Sequence, residues 1–508
     1  MSKLFRFIAG CLLFMGGQAR AEMTVDQTIN AIVSPVSEFA ASVVFYAVPM
    51  FGSQVPLIVV WLVAAALFFT CYFGFINIKG FTHALRVVRG DYSDPKSKGD
   101  VTPFQALTAA LSGTVGLGNI AGVAVAISIG GPGATFWMII GGLLGMSSKF
   151  VECTLGVKFR EINADGTVSG GPMMYLSKGL ALKGKSTLGR ALAIVFAVCC
   201  VSGAIGSGNM FQANQAAQQL LIVTGGDESI FADNMWLLGA GMSALLAAVI
   251  IGGIKSIARV TEKVVPLMVA VYLGAGILVL VLNAEKIPSA MYAIFDGAFR
   301  AEGVVGGVIG CMIQGFKRAA FANEAGIGSA AIAHSAVKTK EPISEGFVSL
   351  LEPFIDTVVI CTMTALVIIV SGAYDAHADV SGVVLTSMAF EGSLPWFPKI
   401  LAIVVFLFAF STMLTWAYYG GKAWEYLFGR SRWTSLTFKL IYSVFVIVGA
   451  SMNMAAIIEL SDAMIFSMSI ANIVGLYILA PIVKQDLTTY LNKVKSGEIV
   501  NYRQRSDS

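Results

Sequence analysis

Residues 112–122, SGTVGLGNIAG, crowd Gly113, Gly116, Gly118 and Gly122 into a short run with Thr114 and Asn119 among them. Glycine costs about 1 kcal/mol against alanine in a helix interior, so an otherwise apolar helix is expected to unwind here. Unwinding frees amides and carbonyls, which in hydrocarbon must face a ligand or water. Amides opening the second half of such a helix suit an anion, for example a carboxylate. Carbonyls closing the first half, with the side-chain oxygens of Thr114 and Asn119, suit a small hard cation such as sodium. Close helix packing is the competing explanation for the glycines. It accounts for Gly116 or Gly122 but gives no reason for Thr114 and Asn119.

A second stretch, QGFKRAAFANEAGIGSA at 314–330, has the same mixture of glycine and polar groups. Elsewhere the chemistry-bearing residues are dispersed. Cys11 apart, the cysteines (Cys71, Cys153, Cys199, Cys200, Cys311, Cys361) lie in apolar segments without metal-ligand spacing, and His83, His334 and His377 form no cluster. Small buried hydrophobes is the reading for such cysteines. No metal cluster, nucleophile–base set or nucleotide loop is visible, so no enzymatic activity and no cofactor are expected.

Both stretches are set among long apolar segments. The 508 residues are 56% hydrophobic and 13% charged, against about a quarter charged in soluble chains. This is the composition of a polytopic, all-α membrane protein. Residues 1–22 read as a signal peptide: Lys3 and Arg6, a short apolar core, then Ala-Arg-Ala at 19–21. An uncleaved anchor is the alternative. Residues 23–53, interrupted by Asp26, Pro35, Glu38 and Pro49, read as an amphipathic segment on the periplasmic surface, with a further span as the alternative.

A span needs about 20 mostly apolar residues. Eleven candidates follow, near 54–76, 103–127, 132–157, 188–222, 232–253, 264–283, 303–325, 345–371, 395–421, 436–453 and 455–481. Basic residues test the order, because inward-facing loops are rich in Lys and Arg. Starting outside, the first inward loop holds Lys79, Arg86, Arg89, Lys96 and Lys98, and the later inward loops are similarly basic. The outward loops hold only Lys286 and Arg300, with Lys399 at a span edge. The tail from 482 to 508 is then expected in the cytoplasm of a bacterial cell, and the spans in its inner membrane.

With the 54–76 span set aside as an extra helix, ten remain as two groups of five, 103–283 and 303–481. An odd number per group starts the second on the opposite side, which is the arithmetic of an inverted repeat. In such folds the first helix of each half is broken near the midplane and builds a binding site. The two glycine-interrupted stretches fall in those two helices, the first and the sixth of the core.

GTVGLGNIAGVAVAISIGGPGATFWM (113–138) resembles the signature of the sodium:alanine symporter family. SGGPMMYL (169–176), FANEAGIGSA (321–330) and EPFIDTVVICTMTALVI (352–368) also look like family blocks. The resemblance implies a five-plus-five fold of the leucine-transporter type with an extra helix in front. It further implies symport of a small neutral amino acid, alanine or glycine, with sodium as the coupling ion and the bilayer as the surroundings. A proton-coupled symporter and an ion channel are the rival readings, and no nucleic-acid partner is implied.

VGLGN at 115–119 also resembles the broken first helix of the neurotransmitter:sodium symporters. Carried over, Ser112 and Val115 offer carbonyls to sodium, joined by Ser411 and Thr412 from the eighth core helix. Gly116, Leu117 and Gly118 offer amides to a substrate carboxylate, with Thr114 and Asn119 near the substrate or a second ion. Trp416 would wall the side-chain pocket. Phe211 and Gln215, one turn apart, would close the pocket and meet the substrate, although Asn209, Gln212, Asn214, Gln218 and Gln219 are alternatives. Gln314, Gly315 and Phe316 would mark the sixth-helix break, with Phe316 as lid.

Ionisable groups at membrane depth are functional candidates by default. Glu152 is expected to brace the sixth-helix break as structural support. Lys317 and Arg318 fit two readings, a pairing with Glu324 in the cytoplasmic half or the end of a short span. Glu352 and Asp356 lie one turn apart on the seventh core helix, and Glu459 and Asp462 near the outer end of the tenth, where an outer gate would be.

Overall fold

The computed structural model describes residues 23–50, 52–92, 99, 101–163, 166–250, 253–300, 306–376 and 380–501. The expected signal peptide, Cys11, His377 and the last seven residues of the tail lie outside them. The chain is almost wholly helical. A first helix α1 (Val25–Val44) and a hairpin of β1 (Ala47–Met50) and β2 (Ser53–Pro56) lead into α2 (Leu57–Tyr72). The core runs through α3 (Pro103–Thr114), α4 (Gly118–Gly130), α5 (Ala134–Lys158), α6 (Ser186–Val223), α7 (Met235–Val249) and α8 (Gly253–Leu282). It continues through α9 (Gly307–Asn323), α10 (Ala330–His334), α11 (Pro342–Ser371), α12 (Gly382–Glu391), α13 (Phe397–Phe428), α14 (Arg432–Ser451) and α15 (Met454–Ser496).

Among the described residues, each of the eleven segments expected to cross the bilayer contains a helix. Among the described residues seven helices are long and apolar enough to span, and α3 with α4 forms an eighth span bent by 54°. Three further apolar helices, α2, α7 and α12, are shorter. The remaining expected span is α9, 17 residues long.

The local sequence explains where the helices start and bend. Thr102 caps α3 in a reciprocal pair with Gln105, and Pro103 occupies the first turn, where its missing N–H costs nothing. Two of the long helices carry a π-helical turn in mid-course, Gly206–Phe211 in α6 and Phe354–Cys361 in α11, and a third such turn, Gly118–Gly122, opens α4. Such turns insert an extra residue and rotate everything that follows.

The segment expected on the periplasmic surface is largely α1, and α1 packs lengthwise on the bundle. Asn30 bonds Ser451 O (2.8 Å) and accepts from Asn453 N (2.7 Å), Ser37 donates to Ala456 O (2.7 Å), and Phe45 packs edge-on against Phe466. From Asn453 to Phe466 along α15 is about 20 Å at 1.5 Å per residue.

Candidate functional site

The first break falls where the glycines put it. Helix α3 ends at Thr114, and Val115 leaves helical geometry (φ −74°, ψ 85°). The freed groups are then taken up in order. Asn119 Oδ1 accepts from Gly116 N at 2.9 Å, and Gln212 Oε1 accepts from Leu117 N at 3.0 Å. Two of the three amides expected to meet a carboxylate are therefore bonded within the protein. Thr114 turns its hydroxyl back to Ala110 O (3.4 Å).

The expected cation ligands do come together. Thr412 Oγ1 donates to Ser112 O at 3.0 Å, and Ser112 Oγ donates to Ser411 O at 2.9 Å. Ser411 bonds its own helix at Phe408 O (3.1 Å), and Thr415 Oγ1 reaches Ser112 Oγ (3.1 Å). All four are buried, as is Val115 at the break itself. The approach of α13 to the break requires glycine at 116, since a Cβ there would lie 2.5 Å from Thr412 Oγ1. The donors are neutral hard oxygens, the type that suits an alkali cation.

The second break corrects the sequence reading. Helix α9 runs unbroken through Gln314, Gly315 and Phe316 to Asn323. Gly315 is a contact point instead: a Cβ there would meet Trp137 Cβ at 2.5 Å, and the Phe316 ring lies 5.7 Å from the Trp137 ring. The chain leaves the helix at Glu324, which is left-handed (φ 57°), and Gly326 (φ 85°) and Gly328 (φ 91°) follow before α10. The alternation EAGIG was the available signal, two glycines free to take positive φ. Beside the first break lies Phe321 instead of Phe316, edge-on to Phe211 at 5.2 Å and against Gly118, whose Cβ would lie 3.2 Å from its ring.

Trp416 joins the two breaks. Its indole N–H faces Gly113 O at 3.3 Å and Glu324 Oε1 at 3.2 Å, and Ser329 donates to the other Glu324 oxygen. The indole is 1% exposed. It lies against Gly208, where a Cβ would come within 2.1 Å of Cγ. Glu152 braces the second break through an intermediary: Asn472 Nδ2 bonds Glu152 Oε1 and Gly326 O, both at 2.9 Å, and Tyr175 donates to Asn472 Oδ1.

Gln215 is a second correction. Its amide is bonded to Val383 N (3.1 Å) and Asn214 Oδ1 (2.9 Å), facing α12 and away from the break. Gln212 occupies the position expected of it. The one-turn spacing of Phe211 and Gln215 holds, since the helix is regular over Gln212–Val223; what spacing along one helix does not give is which of the neighbouring polar side chains meets the Leu117 amide. Asn119 is likewise committed: besides Gly116 it donates to Asp356 Oδ1 at 2.6 Å, and Thr357 donates to the other Asp356 oxygen at 2.8 Å. Asp356, one of the carboxylates named above on the seventh core helix, is fully buried.

Lys317 and Arg318 pair with Asp462 of α15, correcting both earlier readings. Lys317 lies 2.9 Å from the carboxylate and 4.2 Å above the Phe45 ring. Arg318 bonds the same oxygen and stacks 5.1 Å from the Phe321 ring. At the far end of α10, Arg160 donates to Ser335 O, Val337 O and Thr339 O (2.5–3.0 Å). Between these ends runs a buried ion network: Lys149 with Glu352 at 3.0 Å, and His334 between Glu345 (2.5 Å) and Glu352 (3.4 Å).

Residues 37–504 match the model of the sodium:alanine symporter family. The sodium/alanine symporter AgcS of Methanococcus maripaludis is 38% identical over 452 residues, covering 88% of this chain and 96% of that protein. The amino-acid carrier protein AlsT of Bacillus subtilis is 30% identical, covering 93% and 94%. The crystal structure of MhsT in complex with L-phenylalanine superposes with a TM-score of 0.52 at 16% identity, covering 78% of this chain and 99% of that one. That likeness gives the fold, the leucine-transporter type that the family resemblance implied. The chain belongs to the sodium:alanine symporter family, and it is a multi-pass membrane transporter, not an enzyme, that moves an amino acid by symport with a cation.

Proposed function

We propose that the protein imports a small neutral amino acid, alanine or glycine, together with sodium, by alternating access across a bacterial inner membrane with its tail in the cytoplasm. The observation that carries this reading is the Ser112–Thr412 contact at 3.0 Å beside the first break, with Trp416 tying that break to the second. Sodium entering between the Ser112 carbonyl and the Ser411 and Thr412 hydroxyls replaces these hydrogen bonds with ion–dipole contacts. It thereby fixes α13 against the broken helix. The substrate ammonium and carboxylate then use carbonyls and amides of the two breaks, with Gly118 the amide at the centre. Asn119 acts as a brace between the break and Asp356, rather than as a direct ligand.

Phe211, Phe321 and Trp416 leave little room for a long side chain, which favours alanine and glycine. A missing methylene alone discriminates only about 10–200-fold, so steric exclusion is the stronger direction. The Lys317–Arg318–Asp462 cluster closes the outer end above Phe321, and Arg160 ties the inner end of α10.

Proton coupling is a second reading, favoured by one observation. Asp356 is buried with Asn119 and Thr357 as its side-chain hydrogen-bond partners, and no cation among the described residues is paired with it. Uptake of labelled alanine into proteoliposomes separates the two. The sodium reading expects accumulation under an inward sodium gradient with pH clamped. Accumulation under a pH gradient and indifferent to sodium would overturn it. Competition by unlabelled glycine, serine and glutamine then ranks the substrates, a useful arm because a relative from Bacillus subtilis, GlnT, 30% identical, bears the description "Probable sodium/glutamine symporter".

A further inference from the structure

Apart from the two breaks, the molecule has a cavity of about 240 Å³ between α13 and α14, at the end where α13 passes into α14. Lys422, Arg430 and Lys439 line it, with the hydroxyls of Tyr418 and Ser435 and a single carboxylate, Glu425. A second cavity of about 230 Å³ shares Lys422, Glu425 and Arg430. Glu425 is engaged by two of the cations, Lys422 at 3.3 Å and Arg430 at 3.7 Å. Lys439 is half-buried and forms no ion pair among the described residues. Three cations against one carboxylate leave the wall positive by two charges.

The cavity adjoins a lipid-facing stripe. On α14 the exposed residues Trp433, Leu436, Leu440 and Val444 repeat at helical spacing, and Trp433 is 76% exposed. An exposed tryptophan at the end of a spanning helix belongs at the headgroup level. A cationic recess beside an apolar stripe at that level matches one kind of occupant, a molecule with an anionic head and long apolar chains.

We infer that this recess binds the headgroup of an anionic glycerophospholipid from the cytoplasmic leaflet, with Lys439 and Arg430 on the phosphate and the acyl chains along the α14 stripe. The site borders α13, the helix that carries Ser411, Thr412 and Trp416, so an occupied recess would steady that helix. Transport activity is not needed to test it, so failure of this inference leaves the symport reading untouched.

The test is native mass spectrometry of the full-length protein extracted from vesicles of phosphatidylcholine alone or mixed with phosphatidylglycerol. Wild type should retain phosphatidylglycerol in preference to phosphatidylcholine. Lys439→Gln should weaken that retention about fivefold, the expected loss for one basic contact to an anionic lipid surface, and Lys439→Arg should keep it. Equal retention of the two lipids by wild type would overturn the inference, with no reliance on any variant. Unchanged selectivity in Lys439→Gln would overturn it as well. So would displacement of the bound lipid by inorganic phosphate at unchanged lipid concentration, which would mark the recess as a soluble-anion site.

Discussion

Trp416 has one N–H and faces two acceptors, the Gly113 carbonyl that ends α3 and the Glu324 carboxylate that begins the second break. Trp416→Phe keeps an aromatic wall but removes the donor, so it should lower uptake while the protein still reaches the membrane. Uptake per molecule of surface protein measures this. Asn119→Ala has a different signature. It strips partners from Gly116 N and from Asp356, and a buried polar group left alone costs about 1–3 kcal/mol. A lowered melting temperature in detergent should accompany lost uptake; a melting temperature equal to wild type would mean Asn119 braces nothing.

At the scale of elements, close approach decides what substitution is tolerated. Gly208 lets the π turn of α6 lie on the Trp416 indole, and a Cβ at 2.1 Å from a rigid ring cannot be absorbed by a side-chain rotation. Overpacking of this kind costs about 1–3 kcal/mol. Gly208→Ala should therefore reduce both thermal stability and uptake, whereas Gly241→Ala, with open space around it, should leave both unchanged. Melting curves of the two variants, side by side, check this.

The same elements show what could be read in advance. The first break was legible because glycine clustering acts over one or two turns, whereas the meeting of Ser112 with Ser411, across 299 residues, and with Thr412, and the place of Trp416, followed only from the resemblance to related symporters. The second break was placed one stretch too early, because Gly315 serves contact with Trp137 and looks no different in sequence from a glycine that unwinds. Gln212 was not told from Gln215 because spacing along one helix does not say which of several neighbouring polar side chains meets another helix. The pairing of Arg318 with Asp462, across 144 residues, depends on how α9 and α15 pack, which local spacing does not encode.

For the whole molecule, the ionic contacts divide into two kinds. Lys149, His334, Glu345 and Glu352 link α5, α10 and α11 into one internally bonded body beneath the breaks. The Arg318–Asp462 contact instead joins α9 to α15, and each group keeps buried polar atoms without a hydrogen-bond partner: Arg318 Nε and Nη1 and Asp462 Oδ1 in the one, His334 Nε2, Glu345 Oε2 and Glu352 Oε2 in the other. Removing one partner of a buried pair costs about 3–5 kcal/mol in stability. Asp462→Asn should then fall short of that loss, because Lys317 and Arg318 also rest on the Phe45 and Phe321 rings. Chemical denaturation of the variant beside wild type measures it.

In the proposed transport cycle, a cation held between Ser112 and Thr412 locks α13 to the first break and thereby permits transport. The direct measurement is the sodium dependence of alanine uptake in proteoliposomes by wild type and Thr412→Val, a change of nearly equal shape that removes only the hydroxyl ligand. A hydrogen-bonding group facing a charge contributes about 1.5–3 kcal/mol, so the sodium concentration for half-maximal uptake should rise about tenfold or more in the variant, with uptake recovering at high sodium. An unchanged sodium dependence would contradict the account.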